Sequence, residues 1–166
     1  MREAEAWIRS LGLERHPEGG WFREIYRASG SIPREALPEG FSGARALSTA
    51  IYFLLSGDEF SALHRLRQDE IWHHYAGSSL TLHLLNDAGE YSTRRVGKGA
   101  SANEAPLVVV EAGTLFGATV SEPNAFALVG CTVAPGFDFE DFEMPAREEL
   151  LRRYPRHEAI VRRLTR

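Results

Sequence analysis

The residues best suited to chemistry lie between positions 57 and 77, a segment rich in side chains that exchange protons or bind metals. Its titratable residues are Asp58, Glu59, His64, Arg65, Arg67, Asp69, Glu70, His73, His74 and Tyr75. Segments with the composition of β-strands flank it, one at 49–55 and one at 80–85. Because a titratable side chain within a strand is costly to bury without a partner, we expect this segment to line a cavity.

His64 is the candidate general base, since an imidazole with an unperturbed pKa near 6.5 gains or loses a proton close to neutral pH. Glu70 or Glu24 would orient its ring or stabilise its charged form. Tyr26 or Tyr52 would donate a proton from the opposite side of a substrate. Aromatic side chains would complete the site as apolar walls that stack on a sugar or a base ring. They are Phe22, Trp72 and Phe116.

The position of Glu24 permits two interpretations. Residues 21–27 have strand character, and Phe22, Glu24 and Tyr26 share one face because side chains alternate along a strand. A glutamate between two aromatic residues is either a solvent-exposed charge on an edge strand or a carboxylate within a pocket. The pattern leaves both interpretations open.

A metal site is an alternative use of the same residues. Glu70, Trp72 and His74 face one side of a regular strand, so His64, Glu70 and His74 would form a set of two histidines and one carboxylate. Such a set suits a divalent transition metal, Fe, Mn, Ni or Zn, with an open position for substrate. Trp72 stands between two of these ligands and would crowd the metal. His83, on the next strand, is a further candidate ligand.

The composition is that of a soluble globular protein with one domain, residues 1–166. Hydrophobic residues make up 43% of the chain and charged residues 25%, with a formal net charge of -4. This balance gives no general attraction to nucleic acid or to an anionic membrane. The single cysteine, Cys131, excludes an intrachain disulfide and a cysteine-based zinc site. With no signal-peptide pattern and no apolar run of about 18 residues, we expect a cytoplasmic protein.

Strand and turn signals recur at short intervals through most of the chain. A helix is predicted at about 3–11, a strand at 21–27, and helices again from about 145 to 165. The remaining predicted strands are 45–55, 60–66, 70–76, 79–85, 90–96, 106–111, 114–120 and 125–134, with a last strand within 137–142. Many short strands without intervening helices are typical of an all-β sandwich or barrel.

The spacing of Gly57, His64, Glu70 and Gly77 resembles the first motif of the cupin superfamily. A closer resemblance is to the Cupin_5 subgroup, whose function is unknown. It rests on five segments in the right order, which are His16-Pro17-Glu18-Gly19-Gly20, 48–55, 64–65, 70–73 and 128–137. The resemblance implies an all-β double-stranded β-helix, the cupin jelly roll, with a barrel at about 15–142 and short helices at both ends. It further implies a homodimer and a likeness to the sugar-nucleotide 3,5-epimerases, without a settled activity.

Compared with the cupin motifs, this sequence lacks two of the residues that bind the metal in typical cupins. Typical cupins hold their metal with three histidines and a glutamate. Here the other histidine of the first motif would fall at Leu66 or Ala62, and the histidine of the second motif at Phe116. None of these side chains can ligate a metal, so we predict no cofactor and keep a divalent metal as the alternative.

Three functions remain open for the predicted pocket. The first is a metal-independent isomerase or epimerase that acts on a sugar or nucleotide-like ligand, with His64 as its base. The second is a module that binds a small metabolite without turnover. The third is a metal-dependent oxygenase or isomerase.

Overall fold

The computed structural model describes residues 2–99 and 103–166. Its helices are α1 (Arg2–Leu11), α2 (Arg147–Arg153) and α3 (Glu158–Arg163). Its strands are β1 (Glu14–Arg15), β2 (Trp21–Arg27), β3 (Ser31–Ile32), β4 (Arg45–Ala46), β5 (Thr49–Ser56), β6 (Phe60–Leu66), β7 (Asp69–Gly77), β8 (Leu80–Leu85), β9 (Tyr91–Val96), β10 (Glu104–Ala105), β11 (Leu107–Val110), β12 (Leu115–Val120), β13 (Phe126–Ala134) and β14 (Phe142–Glu143). Short 3-10 helices occupy Arg34–Ala36, Phe139–Asp141 and Pro155–His157.

Most of the described strands belong to two six-stranded sheets. The first sheet has the order β1-β2-β5-β13-β7-β11, and the second has the order β10-β9-β8-β12-β6-β14. The chain passes from the first sheet to the second between β5 and β6, returns at β7, and crosses again repeatedly up to β13. Repeated crossing between two facing antiparallel sheets is the topology of a jelly roll.

The main core lies between the two sheets. Side chains alternate along each strand, so every second residue of the facing strands points inward. Inward residues of the first sheet include Phe53, Trp72 and Val129, and those of the second include Leu82, Phe116 and Ala118. Burial of these side chains holds the sheets face to face and leaves the polar inward residues of β6 and β7 enclosed between them.

The helices cover the outer faces of the sheets. α1 packs through Ala4 against Leu54 and Leu128, which point away from the main core. Leu150 of α2 and Val161 of α3 lie in a separate apolar cluster on the outside of the second sheet. None of the helices in the described residues is long and apolar enough to cross a membrane.

Residues 135–143 differ from the predicted last strand. A 3-10 turn occupies Phe139–Asp141, and only Phe142 and Glu143 pair with a strand, β6. A buried ion pair explains the difference, because Arg45 donates from Nε and Nη2 to the Asp141 carboxylate at 2.7 and 2.9 Å. Gln68 Nε2 donates to the same carboxylate at 2.7 Å. In a regular strand Phe137, Phe139 and Asp141 would share one face, whereas here the two phenylalanines line the cavity and Asp141 is bonded to Arg45 instead.

The jelly roll with helices at both ends confirms the fold class predicted from the sequence. One feature of that prediction is wrong, because the two sheets do not close into a barrel. In the described residues β1 and β11 end the first sheet and β10 and β14 end the second, and no ladder joins these edges. The sheets therefore face each other as an open jelly roll.

Candidate functional site

A cavity of about 270 Å³ lies between the sheets, toward the end that residues 137–142 cover. Its volume is just below the range of roughly 300 to 1,000 Å³ usual for small-molecule sites. The aromatic side chains that line it are Phe22, Phe53, Trp72, Phe137, Phe139 and Phe142. The first three come from strands of the first sheet and the last three from the covering segment, so both are needed to enclose the cavity.

His64, on β6, is held in one tautomer at the cavity wall. Its side chain is 2% exposed, and its Nδ1 lies 2.7 Å from the carbonyl oxygen of Ala62. A carbonyl oxygen can only accept, so Nδ1 carries the proton and Nε2 presents a lone pair while the ring is neutral. Burial lowers the pKa of His64, although the charge of Glu70 and the bond to Ala62 act in the opposite direction.

Glu18 approaches His64 from the turn between β1 and β2. Its Oε2 lies 3.3 Å from His64 Nε2, and its Oε1 accepts a hydrogen bond of 2.8 Å from Ser61 Oγ. Burial raises the pKa of Glu18 to about 8, while Ser61 and Arg166 oppose the shift. At neutral pH a protonated Glu18 therefore faces the lone pair of His64.

Two glycines allow the turn to place Glu18 between the sheets. Gly19 and Gly20 have φ angles of 115° and 75°, which residues with a Cβ rarely adopt. A Cβ at Gly19 would clash with the carbonyl oxygen of Phe60, and one at Gly20 with that of Leu54. The turn can lie directly against β5 and β6 because these side chains are absent.

Glu70, on β7, supplies a second buried carboxyl group. Burial raises its pKa to about 7, Glu18 adds to the shift, and His64 opposes it. Its Oε2 atom is buried and has no hydrogen-bond partner among the described residues, and the same holds for the indole Nε1 of Trp72. The Trp72 indole and the Cys131 thiol lie close enough to Glu70 to lower its pKa, but with the geometry they have Oε2 and Nε1 form no hydrogen bond within the described residues, so both atoms remain open to a ligand.

His16 comes from the same turn as Glu18 and joins these groups. Its Nδ1 accepts a hydrogen bond of 3.3 Å from the backbone N–H of Glu18. Its ring meets that of Phe22 edge to face at 4.5 Å between centroids. Burial and the nearby His64 lower the pKa of His16 to about 4, so this ring is neutral at pH 7. We refer to His16, Glu18, His64 and Glu70 as the acid–base cluster.

Glu24 and Arg27 form an ion pair at the rim of the cavity. Arg27 donates from Nε to Glu24 Oε1 at 2.9 Å and from Nη2 to Oε2 at 2.8 Å. Its Nη2 also donates to the carbonyl oxygen of Phe137 at 3.1 Å, which ties β2 to the covering segment. Glu24 is thus a carboxylate of the pocket lining whose charge is already paired.

The structure brings most of the sequence-predicted residues together. Phe22, Glu24, His64, Glu70 and Trp72 all line the cavity. Phe116 lies behind the lining, where its ring centroid is 4.3 Å from that of His64. It supports the His64 ring and does not form a wall of the cavity.

Tyr26 and Tyr52 do not line the cavity, contrary to the sequence prediction. The pairing of β2 with β5 contains a bulge between Glu24 and Tyr26, which reverses the alternation so that Arg27 lines the cavity and Tyr26 is 55% exposed. Tyr52 points to the outer face of the first sheet, where its ring meets that of Tyr75 at 5.9 Å.

The predicted metal set of His64, Glu70 and His74 is not assembled. His74 lies four residues along β7 from Glu70, about 13 Å at the usual rise of a strand. Its Nε2 donates to the carbonyl oxygen of Ser78 at 3.1 Å. His83 is bonded by its two ring nitrogens to Tyr91 and Thr119.

The side chains present do not fit the metal site of a typical cupin. Across residues 2–99 and 103–166, no group of three or more His, Cys, Asp or Glu side chains is placed to hold a metal ion. His64 has only Nε2 available as a ligand, because its Nδ1 donates to Ala62. We therefore derive no chemical step through a metal.

Sequence reasoning missed His16 and Glu18 as site residues, and it missed the phenylalanines of the covering segment. In the sequence, the segment His16-Pro17-Glu18-Gly19-Gly20 is only a point of resemblance to the Cupin_5 subgroup. A signal was present, because a histidine and a glutamate precede two glycines immediately before an aromatic strand. Glycines at such a position indicate a close approach of backbones, which can carry neighbouring side chains into a core.

Two facing sheets, an enclosed cavity and an acid–base cluster define a jelly-roll protein of the cupin type. The chain belongs to the Cupin_5 family, described as Cupin superfamily (DUF985), which matches residues 5–145. It is 30% identical over 154 residues to the uncharacterized protein YML079W of Saccharomyces cerevisiae, covering 87% of this chain and 76% of the yeast protein.

Solved structures agree with this membership. Protein SO0799 from Shewanella oneidensis is 41% identical, with a TM-score of 0.87 over 98% of this chain and 97% of that one. A hypothetical protein from Leishmania major is 33% identical, with a TM-score of 0.87 over 98% of each chain. These relatives establish the fold and the family and assign no activity.

Proposed function

We propose that the protein is a metal-independent proton-transfer enzyme, an isomerase or epimerase that acts on a small sugar-like ligand. The observation that carries the proposal is the distance of 3.3 Å between His64 Nε2 and Glu18 Oε2 at the cavity wall. Burial makes the imidazole harder to protonate and the carboxyl harder to ionise. A neutral base beside a protonated acid is the arrangement that proton-transfer catalysis requires.

His64 takes the role of the base. Its Nδ1–H is held by Ala62, so Nε2 accepts a proton from a substrate carbon next to a carbonyl group. The electron pair of the broken C–H bond moves into the carbonyl group and forms an enolate oxygen. The imidazolium that results lies near Glu70, whose ionised form stabilises it.

Glu18 takes the role of the acid, in place of the tyrosines expected from the sequence. Its protonated carboxyl donates to the enolate oxygen and stabilises the charge that develops there. For isomerisation, the imidazolium of His64 returns its proton to the neighbouring carbon, and the hydroxyl group on that carbon passes its proton to the Glu18 carboxylate as it becomes the new carbonyl. For epimerisation, a water molecule protonates the other face of the carbon, the imidazolium neutralises the hydroxide so formed, and the enol returns its proton to Glu18 as the carbonyl reforms. The aromatic walls restrict water, which strengthens these electrostatic interactions.

Exchange of substrate protons with solvent deuterium tests this function. Compounds that raise the melting temperature are incubated with the protein in D₂O, and NMR follows deuterium at the carbon next to the carbonyl. We expect exchange with the wild type and a loss of about a hundredfold or more in His64→Gln. His157→Gln is the control, since His157 lies outside the cavity and bonds Gly89. Unchanged exchange in His64→Gln would contradict the proposal.

A binding module without turnover is the second candidate. Ser61 and Ala62 already satisfy polar atoms of Glu18 and His64, and such a bonded cluster keeps its shape with no catalytic role. This function predicts ligands that raise the melting temperature and show no deuterium exchange in the wild type. The metal-dependent alternative has no support from the placement of the ligating side chains.

A further inference from the structure

Most of the titratable side chains around the cavity are carboxyl groups, although Glu18 is protonated at neutral pH and Glu24 is paired with Arg27. The carboxyl groups of the lining belong to Glu18, Glu24, Glu70 and Asp138. Among the described residues of the lining, Arg27 is the one permanently cationic side chain. Its charge is paired with Glu24, and its Nε and Nη2 atoms donate to Glu24 and to the Phe137 carbonyl. His16 and His64 are kept neutral by burial. The lining thus offers no uncommitted cation to a phosphate or carboxylate group.

The aromatic walls add a second preference for positive charge. Phe137 and Phe139 meet edge to face at 5.0 Å between centroids, and Phe142 is 6.0 Å from Phe139. Phe53 and Trp72 meet at 5.7 Å on the strand side of the cavity. The faces of such rings carry partial negative charge and attract ammonium groups within about 6 Å, more strongly where water is excluded.

Glu70 marks the place in the cavity where a positively charged group of a ligand would bind. Its side chain is 93% buried, and its Oε2 atom has no partner among the described residues. Trp72, two residues along β7, forms the adjacent wall. An ionised Glu70 in this position is costly unless a positive group pairs with it, and a ligand N–H that donates to Oε2 supplies that pairing.

From these observations we propose that the ligand of the cavity is a small organic cation, a primary ammonium group on an apolar or aromatic body. The ammonium group contacts Glu70, and the body packs between Trp72 and the phenylalanines of the covering segment. A cavity of about 270 Å³ suits such a molecule and is too small to enclose a nucleotide sugar. This inference uses the same cavity as the proposed function and replaces its sugar-like ligand with a cationic one, which must also carry a carbonyl group if it is to be the substrate of His64.

Three probes of nearly equal size and different charge test the inference. Calorimetry at about pH 8, where Glu70 is ionised, compares benzylamine as the cation, benzyl alcohol as the neutral compound and benzoate as the anion. We expect wild-type affinity to fall by about tenfold from benzylamine to benzyl alcohol, and further for benzoate. Benzoate binding as tightly as benzylamine, or no binding of benzylamine, would overturn the inference.

The variant Glu70→Gln separates the charge of this residue from its shape. We expect it to reduce benzylamine affinity by about tenfold and to leave benzyl alcohol affinity unchanged, which also shows that the cavity is intact. Glu111→Gln, an exposed carboxylate outside the lining, is the matched control and should leave all three affinities unchanged. An equal loss for all three probes in Glu70→Gln would indicate a structural role and contradict the inference. The two proposals can fail separately. If the protein prefers benzylamine but catalyses no deuterium exchange in any bound carbonyl compound, the proposed function is wrong and the inference about the ligand stands.

Discussion

The Nε2 atom of His64 lies 3.3 Å from the Oε2 atom of Glu18, although 45 residues separate them in the chain. Each is positioned by a residue of β6 that stands two or three positions before His64. Ala62 accepts from His64 Nδ1 at 2.7 Å, and Ser61 donates to Glu18 at 2.8 Å. Two or three residues of one strand therefore set the protonation of the histidine and the orientation of the carboxyl group that faces it.

The first prediction concerns the tautomer of His64. We expect the neutral Nδ1–H form at pH 7, because the Ala62 carbonyl accepts that proton and burial lowers the pKa of the ring. Ring ¹⁵N chemical shifts measured across pH distinguish the two tautomers, and the His64→Gln spectrum identifies the signals. A neutral Nε2–H form, or a pKa above the ordinary 6.5, would show that the assignment is wrong.

The second prediction concerns stability at alkaline pH. The pKa of Glu18 has the ordinary value of 4.5 in the unfolded chain and is raised to about 8 in the folded protein, so folding favours the protonated carboxyl. The contribution of the protonated Glu18 carboxyl to the free energy of unfolding is fully present below pH 4.5 and is lost as the pH rises through 8. We expect the wild type to lose about 2 kcal/mol of unfolding free energy between about pH 6.5 and 8.5. Urea unfolding at several pH values measures this loss.

Glu18→Gln should remove most of that pH dependence. The amide retains an acceptor for Ser61 and a donor toward His64, so it imitates the protonated acid without ionising. Glu111→Gln, at an exposed position, should keep the wild-type slope. A slope that is equally steep in Glu18→Gln would mean that Glu18 is already ionised in the folded protein at neutral pH.

The third prediction concerns the ion pair that shapes the covering segment. Arg45 and Asp141 are each 4% exposed, so Asp141→Asn leaves a buried arginine with only the exposed Glu140, at 3.6 Å, as a charge partner among the described residues. We expect a loss of roughly 3 kcal/mol or more in unfolding free energy. Glu143→Gln, which removes the partly exposed pair with Arg65, should cost less than about 1 kcal/mol. Equal costs in the two variants would show that burial does not distinguish these pairs.

Local pattern was sufficient to predict most of the strands. The alternation in 60–66 predicted a strand that the structure has at Phe60–Leu66, and 126–134 was predicted to within a residue. The same local periodicity placed Glu70 and Trp72 on one inward face, where both line the cavity. Side-chain alternation depends only on backbone geometry, so it can be read without knowledge of the tertiary structure.

The missed parts of the site depend on contacts between distant segments. The bulge after Glu24 reverses the face of Tyr26, and its position follows from pairing with β5, which no pattern within β2 reveals. Glu18 reaches His64 only because its turn docks on β6. His74 was assigned to a metal set by facing direction alone, without the distance of about 13 Å along the strand. The distance between Glu70 and His74 along the strand is itself local, whereas the approach of Glu18 to His64 across the cavity is not.

The last prediction concerns oligomeric state, for which we propose a homodimer through the outside of the first sheet. β11 is an edge strand, and Leu107 and Val109 on its outer side are 49% and 43% exposed. Tyr75, on the neighbouring strand β7, is 51% exposed. An exposed apolar patch on an edge strand favours association, and a second copy would cover the same patch symmetrically. We therefore expect sedimentation equilibrium to show a dimer for the wild type and a monomer for the double variant Leu107→Glu with Val109→Glu. The double variant should keep the wild-type rise in melting temperature when a ligand binds the cavity, which shows that it is folded. Met144→Glu is the control and should remain a dimer, since Met144 is 43% exposed but follows β14 at the edge of the second sheet. A wild-type monomer would contradict the proposal.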